Sequence, residues 1–427
     1  MPKMDDFDLN ESESDESYGT DFGNFGRKPI RVPLFVAFAA ALTGLALAGT
    51  STSDFVQHLD RQVHAVHCSV MPGSDALIGE SGCRTVMLSQ HSSWFRDQYW
   101  GGIPISLFAM AVFAFLAYRS GYLLFRGRPK RSEAVFLTTA SFLPVVMSVI
   151  YGNIAYSEIG EMCSVCMGIY IVSGLLFAAG LITIFMTDPP PPVRGEGSVG
   201  HFAVGVLEGV AFVGIATLVY LGGIPEVSAE NKTIKGAAGC GTLAQPEDRA
   251  NIMIDLSTGS GGAPSIELLD PLCPACRAFD ERLEETGLAA KLQQKVVLFP
   301  LDSTCNWMLD QPLHPGACAV SEAMLCAPNE AKKILKWAFD RQEELTELGK
   351  TDDRKLRRLI KSTFPAAKRC MGTAVAKNKM VKSLRWAVAN ALPVMTPQLF
   401  IKGKRLCDED TDLGLEYTLN RMVEAAK

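Results

Sequence analysis

The chain has 427 residues, 48% of them apolar and only 20% charged, against roughly 25% charged in a usual soluble domain. That composition excludes a disordered chain and argues against a wholly soluble one. A net charge of −5 with no basic patch gives no sign of a nucleic-acid partner, and twelve cysteines point to disulfide chemistry or metal binding.

Residues 1–26 carry eight acidic side chains and one Lys, and read as a solvated, disordered tail without a signal-peptide pattern. Four apolar stretches follow, at about 33–52, 103–125, 134–156 and 162–187. Each is long enough to cross a hydrocarbon core of about 30 Å. A run from Pro189 to Pro192 and a Gly-rich stretch lead into a fifth, at about 201–222. Gly44, Gly152, Gly174, Gly205 and Gly209 within these stretches suit close helix packing in lipid. Ten Lys or Arg lie before the first span and in 119–133 and 188–200, against Arg61, Arg84 and Arg96 in the opposite loops. This bias predicts a cytoplasmic N-terminus and places everything after residue 223 outside. Glu208 falls in the fifth span, a turn or two from the inner surface, where it is expected to reach the headgroups.

Beyond residue 223 the composition is that of a soluble domain. A Gly/Ser/Ala-rich stem over 224–250 precedes expected strands at Ile252–Leu256 and Ser265–Asp270. Cys273-Pro-Ala-Cys276 comes next, then a helix through about Leu292 and a strand at Lys295–Leu301. Residues 317–391 read as mostly helical, Leu399–Ile401 as a strand, Lys402–Lys404 as a turn and 411–426 as a last helix. The order is an α/β pattern with a helical insertion.

Cys273 stands where a strand ends and a helix begins, with Pro274 suited to the first turn because its missing N–H costs nothing there. The positive helix terminus favours a Cys273 thiolate, the attacking sulfur. Cys276, three residues on, lies on the same face and can resolve a mixed disulfide. A structural bridge or half a zinc site are the alternatives, and an oxidising compartment favours redox chemistry. Cys163-Ser-Val-Cys166 opens the fourth span at its outer end, within reach of outside thiols and of a lipid-soluble acceptor. A helix start favours a Cys163 thiolate, while Glu158 and Glu161 oppose it. Cys68 and Cys83 lie in the first outer loop with fourteen residues between them, and fit a loop-closing bridge or a functional pair equally. Cys305 and Cys318 flank a short loop with His314 and are expected to bridge locally. Cys326 with Cys370 and Cys240 with Cys407 would follow by elimination, among fifteen pairings of six cysteines. A zinc site there has only His314 nearby, and no metal is expected.

The Cys-Pro-Ala-Cys motif, with Met395-Thr396-Pro397 just before the Leu399–Ile401 strand, resembles the thioredoxin superfamily in its DsbA-like branch. The resemblance implies a cis Pro397 facing Cys273–Cys276, with Thr396 and Pro397 binding a substrate peptide through the backbone. The dipeptide is Pro-Ala where strongly oxidising relatives have Pro-His, so a less oxidising pair is expected. Four spans, two loop cysteines, Gly102-Ile-Pro-Ile-Ser106 and a Cys-x-x-Cys opening the fourth span resemble the bacterial vitamin K epoxide reductase family. By that resemblance Ser89 and Tyr170 would contact a quinone, ubiquinone or menaquinone. The loop-cysteine spacing is longer than the family pattern, and the second span has no Asn to bond the quinone.

The expected fold is thus multi-domain. Residues 1–30 form the tail, 31–187 a four-helix transmembrane bundle, 188–223 a Pro-rich linker and fifth span, 224–250 a flexible stem, and 251–427 a thioredoxin-fold domain with a helical insertion. The expected function is a thiol oxidase of the inner membrane, acting on reduced exported proteins. Electrons would pass from Cys273/Cys276 to Cys68/Cys83, then to Cys163/Cys166, then to the membrane quinone pool. An outward relay supporting disulfide reduction or isomerisation is one rival. A membrane-anchored peptide-binding module with structural bridges is the other.

Overall fold

The computed structural model describes residues 30–59, 82–187, 198–223, 240–257, 261–407 and 410–426. The acidic tail, the loop with Cys68, the Pro189–Pro192 run and stem residues 224–239 lie outside the described residues.

Among the described residues, five helices are long and apolar enough to cross a membrane. They lie within α1 (Val32–Leu59), α3 (Ile105–Arg126), α4 (Arg131–Ile154), α5 (Ser164–Met186) and α6 (Ser198–Gly223), with the short α2 (Gly82–Leu88) before α3. The first helix runs seven residues past the predicted end at 52. Polar residues at 50–54 interrupt the hydropathy but not the helix, because Thr50 and Thr52 donate their hydroxyls to the carbonyls of Leu47 and Ala48, each at 2.8 Å. α1 packs on α3 and α5, and α5 packs on α4. Gly44 allows the closest of these approaches: a Cβ there would fall 2.5 Å from the Phe113 ring. α4 continues into a wider turn, Ala155–Ile159, which Gly160 ends at φ 73°. This turn leads the chain from the outer end of one span to the start of the next.

α6 lies on the outside of the bundle against α3. Glu208, expected to reach the headgroups, instead meets Arg119 of α3 at 3.2 Å. Arg119 also lies over the Phe136 ring at 5.2 Å, so its guanidinium has an aromatic face as well as a carboxylate for a partner. The Tyr220 hydroxyl donates to Gly102 O at 3.0 Å near the outer end of the same helix.

The C-terminal part, called outer after the side expected for it, is built on a five-stranded sheet of order β3-β5-β4-β6-β7, comprising Ile254–Asp255, Leu292–Leu298, Ala263–Leu269, Gln398–Ile401 and Lys404–Arg405. A two-stranded ladder, β1 (Ser93–Trp94) with β2 (Ile103–Pro104), belongs to the membrane part. β4 and β5 are parallel and the remaining pairs antiparallel. The parallel pair requires a crossover, which α7 (Pro274–Glu285) provides. Helices α8 to α12 (Ala317–Cys326, Ala331–Asp340, Gln342–Thr351, Asp353–Thr363, Ala374–Ala389) lie between β5 and β6, where the insertion is expected, and α13 (Leu415–Ala425) follows β7. The predicted first helix stops early, at Glu285, because Gly287 at φ 68° turns the chain and Leu292 already belongs to β5.

Disulfides join Cys240 to Cys407, Cys305 to Cys318 and Cys326 to Cys370. The first fixes the second half of the segment expected as a flexible stem. Thr242 bridges Lys404, and the Asn390 side chain accepts from Gln245 N at 2.6 Å and donates to Gln245 O at 3.0 Å. Cys326–Cys370 ties the end of α8 to the turn before α12 across a sequence separation of 44. Replacing both by Ser should lower stability by about 4 kcal/mol, from the chain entropy such a loop restores to the unfolded state. Denaturant titration followed by fluorescence of Trp337, stacked edge-on against Phe364, checks this; an unchanged midpoint contradicts it.

Candidate active site: two thiol sites and an apolar cavity

β4 delivers its last residues to the outer thiol pair. Asp270, fully buried, accepts from Leu272 N at 2.8 Å and from Leu301 N at 2.7 Å. These bonds shape the turn into Cys273, which is the N-cap of α7 with Pro274 following. Cys273 is 5% exposed and Cys276 fully buried; both are free thiols. The Thr396–Pro397 bond is cis, and Thr396 O accepts from Cys273 Sγ at 3.6 Å. Gln398 donates to Pro393 O and Met395 O and braces that loop. Gln342 of the insertion donates to Cys273 O at 3.0 Å.

The two sulfurs are electrostatically unequal. A hydrogen bond from the Cys276 thiol draws the Cys273 pKa down to about 6 against the opposing effect of burial, with Thr396 and the Cys276 N–H also lowering it. Burial and the neighbouring Cys273 push Cys276 well above the usual thiol range. The inequality suits Cys273 to attack and to leave, and Cys276 to hold its proton.

Two acids and a histidine near this pair carry roles the sequence reading did not assign. Glu267 is wholly buried with Gln294 donating to it, and burial raises its pKa to about 8. Its signal was the strand parity, which puts 265, 267 and 269 on one inward face. His314, considered above only as a zinc ligand, bonds Asp270 through Nδ1 at 2.7 Å. Burial works against the charged ring, but the Asp270 bond and charge outweigh it and raise the His314 pKa. A histidine ring thus stands near Cys273 although the dipeptide holds none.

The second site lies at the outer end of the spans. Cys163 caps α5, and its sulfur accepts from Cys166 N at 3.4 Å. Cys163 and Cys166 are free thiols. Cys83, on α2, is disulfide-bonded, and its sulfur lies 2.9 Å from Cys163 Sγ. Glu158, expected to oppose a Cys163 thiolate, is paired with His91 at 2.9 Å. Beneath these sulfurs is a cavity of about 480 Å³, lined mainly by apolar side chains with Cys83, Cys163, Cys166, Ser89 and Tyr170 at its walls. Its volume falls in the roughly 300–1,000 Å³ range of small-molecule sites. Ser89 donates to Val86 O at 2.7 Å, leaving its lone pairs to accept. Where the second span lacks an Asn, Ser106 lines the cavity with its hydroxyl 2.9 Å from that of Thr52. Tyr151 of α4 is a further cavity hydroxyl. The apolar walls, with few hydroxyls and two thiols, fit a quinone ring. Cys68 lies outside the described residues. The outer pair and the membrane set belong to separate apolar clusters.

Residues 35–181 match the sequence model of the Vitamin K epoxide reductase family. No curated protein matches the chain. Among solved structures the chain is similar to the oxidoreductase DsbA from Xylella fastidiosa, with 16% identity over 40% of this chain and 94% of that one, at a TM-score of 0.29.

The thiolate is the reactive form, so alkylation of Cys273 should rise with pH to a midpoint near 6 and then level off. Cys276→Ala removes the thiol donor and should move that midpoint toward the ordinary value of about 8.5. Iodoacetamide rates against pH check this, and an unmoved midpoint contradicts the assigned cause.

Proposed function

We propose, from a chain whose residues 35–181 form a vitamin K epoxide reductase family domain, that this is a membrane thiol oxidase forming disulfides in exported proteins. The supporting observation is the state and spacing of the sulfurs at the membrane site. Cys83 is in a disulfide, Cys163 and Cys166 are thiols, and Cys83 and Cys163 are 2.9 Å apart. That spacing brings a loop cysteine within reach of the Cys163–Cys166 pair for exchange. We read residues 251–427 as a thioredoxin fold, supported by the strand order and by the cis Thr396–Pro397 bond beside Cys273. We read 31–187 as a four-helix bundle, with the fifth span tethering the outer domain on the periplasmic side.

The steps follow from thiol–disulfide exchange. A thiolate of a reduced exported protein attacks Cys273 of the oxidised pair, and Cys276 leaves and takes a proton. A second client thiolate attacks the mixed disulfide and releases Cys273. The reduced Cys273 thiolate then attacks the Cys68–Cys83 bridge, and Cys276 resolves the product. The freed Cys83 thiolate attacks Cys163 of the oxidised Cys163–Cys166 bridge, and Cys166 leaves into the cavity. Tethering raises the effective concentration for the docking step. Glu267, buried with its pKa near 8, is placed to take the proton that Cys276 loses when the pair is reoxidised. Ser89, Ser106 and Tyr170 would hold a ubiquinone or menaquinone ring by hydroxyl contacts, and the apolar walls exclude water from the thiols. The bound quinone supplies the two-electron sink that sets the direction.

Purified protein should oxidise a reduced peptide in a quinone-dependent reaction. Cys68→Ala and Cys163→Ala should each fall to the uncatalysed rate, and full activity in both contradicts the relay. In cells the Cys273–Cys276 pair should rest oxidised; a pair found reduced favours outward electron flow.

A further inference from the structure

The turn from Ser89 to Ser93 borders the outer end of the cavity, with Ser89, His91 and Ser92 in its wall. One side chain brackets this turn. Arg96, 7% exposed, donates from Nε to Ser93 Oγ at 2.6 Å and from Nη2 to Ser92 Oγ at 2.7 Å and to Ser89 O. Its third nitrogen, Nη1, is buried with no hydrogen-bond acceptor. The carboxylate it faces is Glu416, at 3.7 Å, and Glu416 is equally buried with its second oxygen unpartnered. Glu416 belongs to α13 of the outer domain. A buried guanidinium and a buried carboxylate from two parts of the chain are each costly alone.

Three more contacts join the same surfaces. Arg282 of α7 donates to Leu88 O at 2.6 Å, immediately before the turn. Trp100 donates to Asp410 at 3.2 Å, and His58 meets Asp412 at 2.9 Å. Leu413, fully buried, packs with Phe55, Leu59 and Trp100. These residues lie away from the outer thiols: Arg282 is nine residues beyond Cys273, about 13 Å along the helix axis. The outer domain therefore touches the border of the cavity with a surface its own thiol chemistry does not use.

We infer that the docked outer domain is a lid on the cavity, and that the Glu416–Arg96 pair couples its docking to the Ser89–Ser93 turn. Docking neutralises Arg96, holds the turn over Cys163 and Cys166, and shields those thiols from aqueous reagents. Arg96 acts as a positioning residue through Ser89, Ser92 and Ser93. The inference deepens the proposed oxidase, since it rests on the cavity being the site where the inner thiols discharge.

The test is labelling of Cys166 in the full-length protein, in lipid nanodiscs, by a charged methanethiosulfonate that cannot cross the bilayer. Glu416→Gln removes the charge with little change in shape, Glu416→Lys sets like charge against Arg96, and Arg282→Ala removes the Leu88 contact. Coupling between sites commonly amounts to roughly 5- to 150-fold, so Cys166 labelling should rise at least about fivefold in Glu416→Lys, with smaller rises in the other two. Cys273, mapped in the same digest, should be labelled at the wild-type rate, because the outer domain stays folded. Unchanged Cys166 labelling in all three variants overturns the lid, as does a rise at Cys273 that matches the rise at Cys166. Labelling needs neither quinone nor turnover. A failed relay would instead appear as an inactive wild type whose Cys166 remains shielded.

Discussion

Thiol–disulfide exchange moves two electrons only when two sulfurs come into contact, and the approach of Cys83 to Cys163 at 2.9 Å is the contact around which the membrane part is organised. It needs a cysteine on α2 and a cysteine capping α5 to face one another from positions 80 residues apart. The wide turn at Ala155–Ile159 and Gly160 leads the chain to the α5 cap, and the packing of α1 against α3 and α5 holds that cap in place. Placing Cys166 three residues further on puts it at the cavity wall, so the same helix start carries one sulfur beside Cys83 and one at the cavity.

The outer pair uses the same device, a cysteine at a helix N-terminus with a second three residues on, but at the edge of the sheet domain's own apolar core. There the inequality of the sulfurs is set by burial: Cys276 is fully enclosed and keeps its proton, and its hydrogen bond stabilises the Cys273 thiolate. Glu267 lies behind the pair, and the Asp270–His314 pair braces the turn that leads into it. The Cys305–Cys318 bridge and the bonds of Leu313 and His314 to Leu301 O anchor the loop that carries this histidine. An extra disulfide thus has a site-directed consequence: it fixes an imidazole where the Pro-Ala dipeptide supplies none.

Features written in local pattern were legible in the sequence. Span-length apolar runs gave five membrane helices, and cysteine spacing with a strand before and a helix after marked the Cys273 motif. The Thr396–Pro397 bond was legible only through its register with that motif. The unread features pair residues distant in sequence. Arg119 with Glu208, Asp270 with His314, and Arg96 with Glu416 are 89, 44 and 320 positions apart. A charged residue looks exposed until the fold supplies its partner, so Arg96 counted only toward loop charge and Glu208 seemed a headgroup contact. The stem at 240–250 misread for the same reason: its Gly, Thr and Gln suggest freedom, while Cys407, Lys404 and Asn390 remove it.

The central claim is that Cys83 and Cys163 exchange with one another. Cys166→Ala leaves Cys163 without a bridge partner, so its thiolate can attack Cys83 of the loop bridge and displace Cys68. Non-reducing peptide mass mapping of this variant, purified from cells under acid quench, should find Cys83 bonded to Cys163 and Cys68 released as a thiol. Cys163 recovered as a free thiol, with Cys83 still in its original bridge, would contradict the account.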